Sequence, residues 1–231
     1  MTASGIRLPQ AALVAVALAA GLAVDARSGF AGQAAIGLVF WALLSWLLGR
    51  VSAEERRALM ACVVIATAGE MFLSLGWGLY TYRLGNVPLF VPPGHALMLM
   101  LGFSLTRQMP EKAARAILGG AGIYTLLAAA TGLDTLAVPL YLMLAVSVLS
   151  LPAHTRLFAS SFVLTLTLEL YGTALGNWYW DRQVPWVSLV TTNPPAIAGA
   201  FYCALDALVA VASLLVSNGF RQPLPQGGEA R

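Results

Sequence analysis

Apolar residues in this chain fall in long unbroken runs, without the two-residue alternation of strands or the narrow stripe of a water-facing helix. The runs cover about 9–26, 31–49, 58–79, 92–107, 114–131, 135–151, 156–178 and 193–216, with short polar or Gly/Pro-containing links between them. Runs of about 18 or more apolar residues can cross a hydrocarbon layer as helices. The pattern therefore predicts an all-α polytopic integral membrane bundle of about eight transmembrane helices, in one domain spanning 1–231. Local signals mark the helix ends. Ser52 followed by Glu55 predicts a capping box at the start of the third helix. Pro92-Pro93 opens the fourth, because a first-turn proline forfeits no helical hydrogen bond. Gly132-Leu133-Asp134 is a tight turn, Pro152 ends the sixth helix, and Asn193 is the expected N-cap of the eighth, ahead of Pro194-Pro195. The first run, with Arg7 ahead of an Ala/Leu/Val core, also has the shape of a signal peptide. No clear small-x-small site follows it, so it is read as a retained helix. Residues 218–231 are polar and Gly/Pro-rich and are expected to be disordered.

Composition narrows the class. The chain is 59% hydrophobic and 10% charged, against about 25% charged residues in a soluble domain. It lacks the ten-residue alternating segments of a transmembrane barrel. The net charge of +3 does not point to nucleic acid, because the cations are distributed by side. With eight spans, every Lys and Arg except Arg27, Arg83 and Arg182 lies on the side shared by both termini, so both termini are expected in the cytoplasm. Cys62 and Cys203 lie within apolar runs and read as small core-filling side chains.

One stretch is present twice. Glu70 sits inside the third run, followed by Gly78, Tyr80, Tyr82, Val87-Pro88 and Pro92-Pro93. Glu169 sits inside the seventh, followed by Gly176, Trp178, Trp180, Val184-Pro185 and Pro194-Pro195. The predicted architecture is a parallel 4+4 internal repeat, with halves of about 9–107 and 113–217, in which both aromatic turns lie on the far side of the membrane.

The candidate catalytic residues are Glu70, Glu169, Asp206 and His95. An ionisable side chain near the bilayer centre costs about 2.5–3.5 kcal/mol even on the lenient insertion scale, which makes it a functional candidate. Two carboxyls sharing a water-poor site titrate apart, so that one acts as acid and the other as base. Glu70 is the expected proton donor, with Glu169 or Asp206 as acceptor. Each glutamate has hydroxyl residues one turn away: Thr67 and Ser74 around Glu70, Thr165 and Thr173 around Glu169. The alternative role is a protonated tie between helices. Asp206 breaks the symmetry, with Tyr202 one turn before it as its expected hydrogen-bond partner. His95 is a proton carrier expected near the outer interface. It is also the one histidine able to join the acids at a metal, but the chain lacks the Glu-x-x-His spacing of di-iron bundles, and neither a metal nor another cofactor is expected. His154 falls in a cytoplasmic link. Substrate-binding candidates are Trp77, Tyr80, Tyr82, Asn177, Trp178, Trp180, Asn193 and Tyr202. The aromatics among them read either as an interfacial belt or as a cage that stabilises a developing cation. Arg83 and the pair Asp181-Arg182 are expected to meet across the two turns.

The first copy resembles the bacterial carotenoid-biosynthesis membrane proteins of the bisanhydrobacterioruberin hydratase type. The resemblance rests on Glu70, Gly78-Leu79-Tyr80-Thr81-Tyr82, Leu84-Gly85, Val87-Pro88 and the proline-opened helix at Pro92-Pro93, about 26 residues. It implies acid-catalysed addition of water to an isoprenoid double bond, or its cyclisation, in a bacterial inner membrane. Three functional classes follow. One is a hydratase, cyclase or isomerase acting on a lipid-soluble substrate. The others are a small proton-coupled transporter and a non-catalytic lipid-binding or assembly subunit. Substrate and membrane lipid are the expected partners, and nucleic acid is not.

Overall fold

The computed structural model describes residues 6–219, with backbone alone for 215–219. Its eight α-helices are α1 (Leu8–Asp25), α2 (Phe30–Leu48), α3 (Ala53–Glu70), α4 (Val91–Thr106), α5 (Glu111–Ala130), α6 (Ala137–Ser150), α7 (Thr155–Leu175) and α8 (Gly199–Gly219). Among the described residues, five helical segments are long and apolar enough to cross a membrane: Leu8–Asp25, Phe30–Leu48, Ala53–Gly76, Glu111–Ala130 and Pro152–Leu175. Ala137–Ser150 and Gly199–Leu214 are apolar but shorter. Large aliphatic side chains such as Leu149, Leu126 and Val64 face outward, as expected where the surrounding medium is hydrocarbon. The expected disordered tail beyond residue 219 lies outside the described residues.

Four helices form the centre. α3 packs against α4 and α8, and α7 packs against the same two. α1 and α2 cover α4, while α5 and α6 cover α7 and α8. α4 is enclosed on nearly every side, from Pro93 through Ser104. That accounts for its apolar character all round.

Most expected helix ends are present. Ser52 Oγ accepts from the Glu55 amide at 3.2 Å, and Glu55 Oε2 accepts from the Ser52 amide at 3.1 Å, which completes the box. Pro92 and Pro93 lie in the first turn of α4. The start of α8 differs from expectation. Asn193 does not cap it; its Oδ1 accepts from the Trp180 amide at 3.1 Å, and the helix begins six residues later at Gly199. Gly199 suits that start because α8 meets α7 closely there: a Cβ would lie 2.9 Å from the Phe162 backbone.

The aromatic turns are also more ordered than expected. They form two three-residue strands, β1 (Tyr80–Tyr82) and β2 (Trp178–Trp180), paired antiparallel. Aromatic side chains favour a pleated, half-buried ribbon, and cross-strand aromatic pairs stabilise it. Tyr80 faces Trp180 with ring centroids 4.7 Å apart, and Tyr82 faces Trp178 at 6.0 Å.

Arg83 does not meet Asp181. It turns to the end of α1, where its guanidinium lies 3.7 Å from Asp25 Oδ1 and donates to the Asp25 and Ser28 carbonyls. Asp25 is 1% exposed and also accepts from Gln33 at 3.0 Å and Asn177 at 2.8 Å. One carboxylate thus ties α1, α2 and both strands together. Asp181 is exposed. Asp25→Ala strands several donors in a buried site, each costing about 1–3 kcal/mol, and is expected to destabilise the protein by about 3 kcal/mol. Asp181→Ala is expected to change stability by less than about 0.5 kcal/mol. Thermal unfolding of the two variants in detergent checks the contrast.

Candidate functional site

The two glutamates end up on the wall of one cavity. Its volume is about 240 Å³, and its wall carries Glu70, His95, Glu169, Tyr80, Tyr82, Trp178, Trp180 and Tyr202 among mostly apolar side chains from α1, α2, α3, α4, α7 and α8. The ribbon forms the polar end. Strand side chains alternate between faces, so Tyr80, Tyr82, Trp178 and Trp180 turn inward at 5–7% exposure, while Tyr179 points out at 48%.

Each glutamate is held by the two inward aromatics of its own copy. Tyr80 Oη and Tyr82 Oη donate to Glu70 Oε2 at 2.7 and 2.8 Å. Trp178 Nε1 and Trp180 Nε1 donate to Glu169 Oε2 at 2.8 and 3.0 Å. The strand register carries the correspondence further: Tyr80 pairs with Trp180, Thr81 with Tyr179, and Tyr82 with Trp178. Thr81 and Tyr179 occupy the same place in the two copies, so exchanging the strands leaves the pairing unchanged.

The two copies differ by one residue between the glutamate and the strand. Ten positions separate Glu70 from Tyr80, and nine separate Glu169 from Trp178. The extra residue is absorbed by a π-helical turn, Met71–Gly76, that continues α3. Such turns accommodate an insertion without ending the helix and are frequent at functional sites. Both segments then stop at a glycine in the left-handed region, Gly78 at φ 73° and Gly176 at φ 77°, a conformation that glycine adopts without a Cβ penalty. Gly172 is required for a different reason. A Cβ there would lie 2.1 Å from Trp178 Cη2, so the indole reaches Glu169 by crossing over a bare backbone.

The chemistry of the two ends is unequal. Glu70 accepts two hydroxyls on Oε2, and its Oε1 lies 3.3 Å from His95 Nε2. The other ring nitrogen of His95 lies 3.1 Å from the Val91 carbonyl, and its ring stacks on Tyr202 with centroids 4.7 Å apart and planes 8° apart. The two phenols address Oε2 as an acceptor, while Oε1 and His95 Nε2 share one proton: the Val91 carbonyl takes the Nδ1 hydrogen, so Nε2 donates when the ring is charged and accepts from the carboxyl when it is neutral. Glu169 is different: both indole N–H groups go to Oε2, and among the described residues no hydrogen bond reaches Oε1. An indole only donates, so Oε2 must be an acceptor and a proton on this carboxyl belongs on Oε1.

Of the predicted site residues, Glu70, Glu169, His95, Tyr80, Tyr82, Trp178, Trp180 and Tyr202 meet at the cavity. His95 is buried beside Glu70. Asp206 stands off the wall and accepts from Ser161 at 2.6 Å, so Ser161 and not Tyr202 is its partner. Asn177 is turned away and spent on Asp25 and the Leu22 carbonyl. Asn193 is bonded to the ribbon backbone. Trp77 donates to the Pro185 carbonyl at 2.8 Å and stacks on exposed Trp186, outside the cavity. Among the described residues no three His, Cys, Asp or Glu side chains converge as a metal-ligand set. Leu18, Leu22, Phe40, Met98 and Phe201 also line the cavity. No sequence signal marked them, because aliphatic and aromatic residues are uniform along membrane helices.

Comparison with family models, curated proteins and solved structures finds no match to this chain.

The π-turn makes a testable asymmetry. Deleting exposed Leu75 lets the turn relax to a regular α-helix with the strand phase kept, so the expected loss of stability is below about 1 kcal/mol. Deleting Leu170, equally exposed in α7, rotates everything after it by about 100° and parts both indoles from Glu169. The expected cost is above about 4 kcal/mol. Thermal unfolding and tryptophan emission of the two deletions distinguish these outcomes.

Proposed function

We propose that this chain is a multi-pass membrane enzyme performing acid–base chemistry on an isoprenoid or other lipid-soluble substrate, by hydration, cyclisation or isomerisation of a carbon–carbon double bond. The observation that carries the reading is the placement of two carboxyls on the wall of a single apolar cavity, one with an oxygen that no hydrogen bond among the described residues reaches and one paired with a histidine. In this scheme Glu169 is the acid and the Glu70–His95 pair is the base, the reverse of the donor expected from sequence. Glu169 Oε1–H protonates one alkene carbon, and the positive charge develops beside the faces of Trp180, Trp178 and Tyr80. For hydration, Glu70 takes a proton from a water whose oxygen bonds to the cation, so that H and OH add across the double bond. For isomerisation or cyclisation, Glu70 instead removes a proton from a neighbouring carbon.

The cavity's size and position fit a lipid-soluble chain. An apolar site of about 150 Å³ takes benzene, so the volume here accepts roughly ten carbon atoms. Leu208 lines the cavity and is 56% exposed on the outer face of α8, which gives a lateral approach. A longer substrate would insert one end and leave the remainder among lipid tails. The same reading has eight spans, both termini in the cytoplasm and a parallel duplication. The shared αL glycines, the self-matching strand register and the equivalent packing of α3 and α7 on α4 and α8 support it. The resemblance of the first copy to the bisanhydrobacterioruberin hydratase type supports the reaction class.

The test is expression in a host rich in isoprenoids and comparison of lipid extracts by mass. A product heavier by one water, or isomerised at equal mass, is expected. Glu70→Gln and Glu169→Gln are each expected to lower its yield by about 100-fold or more with membrane insertion intact. Extracts identical to those of the empty host would sink the proposal. Solute uptake driven by a proton gradient and lost in both variants would make the protein a carrier instead.

A further inference from the structure

Most helical hydroxyls in this protein bond back to their own helix. Thr67, Thr125, Thr167 and Thr173 each donate to the carbonyl four residues earlier. Ser104, Thr106, Ser147 and Ser160 do the same. Ser161 and Thr165, successive turns of one face of α7, do not. Ser161 donates to Asp206 on α8 at 2.6 Å. Thr165 is 1% exposed and its hydroxyl is buried without a hydrogen-bond partner. A hydroxyl in that position is normally satisfied by its own helix, so leaving it unmatched in a buried site needs a reason.

Its place on the helix supplies one. Ser161, Thr165 and Glu169 are spaced four apart, hence stacked on one face about 6 Å apart along the axis. Asp206 lies against the lower end of this column. Below it, the Thr106 and Ser160 hydroxyl oxygens lie 3.2 Å apart, where α4 ends and the Arg107 link begins. Asp206 and the hydroxyls of this face therefore stand between the cavity acid and the end of α7 opposite the ribbon, with Ser161–Asp206 as the hydrogen bond within the column. The column uses none of the groups bonded to Glu70.

We propose that Asp206, Ser161 and Thr165 form a proton relay that reloads Glu169 from the face of the bundle opposite the β-ribbon. Asp206 is the carrier, held by Ser161. Thr165 is the stepping hydroxyl, receiving a proton on its oxygen side and passing its own onward to Glu169, with a water between successive groups. The inference rests on the acid role given to Glu169 above. Asp206 and Thr165 are positioning and transfer groups and do not touch substrate.

The relay can be read without substrate, on the full-length protein in lipid nanodiscs. The infrared carbonyl band of a protonated carboxyl that Glu169→Gln removes identifies the group, and its shift after transfer from H₂O to D₂O gives the exchange rate. Asp206→Asn keeps an acceptor for Ser161 but cannot carry a proton, and Thr165→Val keeps shape but loses the hydroxyl. Both are expected to slow exchange by about tenfold or more, with melting temperatures at or above the parent for Thr165→Val. Asp206→Glu is expected to restore the rate lost in Asp206→Asn. Exchange at the parental rate in either Asp206→Asn or Thr165→Val overturns the relay, as does the absence of any carboxyl band removed by Glu169→Gln. Slowed exchange in both variants with lipid extracts identical to those of the empty host would end the isoprenoid reading alone. Product formation with parental exchange in both variants would end the relay alone.

Discussion

A carboxyl carried into hydrocarbon must find hydrogen-bond donors inside the protein, because the bilayer offers none. Here that constraint is met twice by one device. The residues after each glutamate leave the helix at a left-handed glycine and fold back as a short strand, and two inward aromatics return to the glutamate they follow. Neither strand is long enough to stand alone. They are stable as a pair, and the pairing is possible because the two copies bring matching segments to the same place. The cavity, the π-turn in α3 and the bare Gly172 backbone are all consequences of seating four large rings around two carboxyls.

Within that frame the two ends differ in the chemistry of their donors. Phenol groups both donate and accept, while indoles only donate. Placing tyrosines and a histidine around Glu70, and tryptophans around Glu169, gives the two carboxyls unequal sets of donors and acceptors at the same cavity. His95 adds to the difference. It enters from α4, and the corresponding stretch before α8 supplies no histidine. Asp206 adds to it from the other side, since α4 has no acid at the matching place. The matching segments set the geometry, and a handful of side chains make the two ends of the site unequal.

The outer helices show how little of this depends on the periphery. α1 lies over α4 and also reaches α7, while α5 lies over α7, so the covering helices do not repeat the arrangement of the inner four. Their main structural contribution to the site is a buried charge. Asp25, at the end of α1, collects Gln33, Asn177 and Arg83, and thereby fastens the ribbon to the first hairpin. The polar residues of the turns that read most naturally as substrate contacts, Asn177 and Asn193, are instead used to hold the ribbon in place.

The helical class, the approximate ends of seven helices, the capping box at Ser52 and the duplicated glutamate–glycine–aromatic pattern were all legible from residue order alone. Each depends on neighbours within a few positions or on self-similarity. The start of α8 was not, because Asn193 and two prolines make a convincing local cap until the Trp180 amide competes for the asparagine. Pairing of Tyr80 with Trp180, the approach of His95 to Glu70, the capture of Asp206 by Ser161 and the turn of Arg83 toward Asp25 join residues from separate elements. No local propensity encodes them. They follow from how α3, α4, α7 and α8 pack, and packing among uniformly apolar helices leaves little periodic trace in the sequence, since lipid and protein interior select the same side chains.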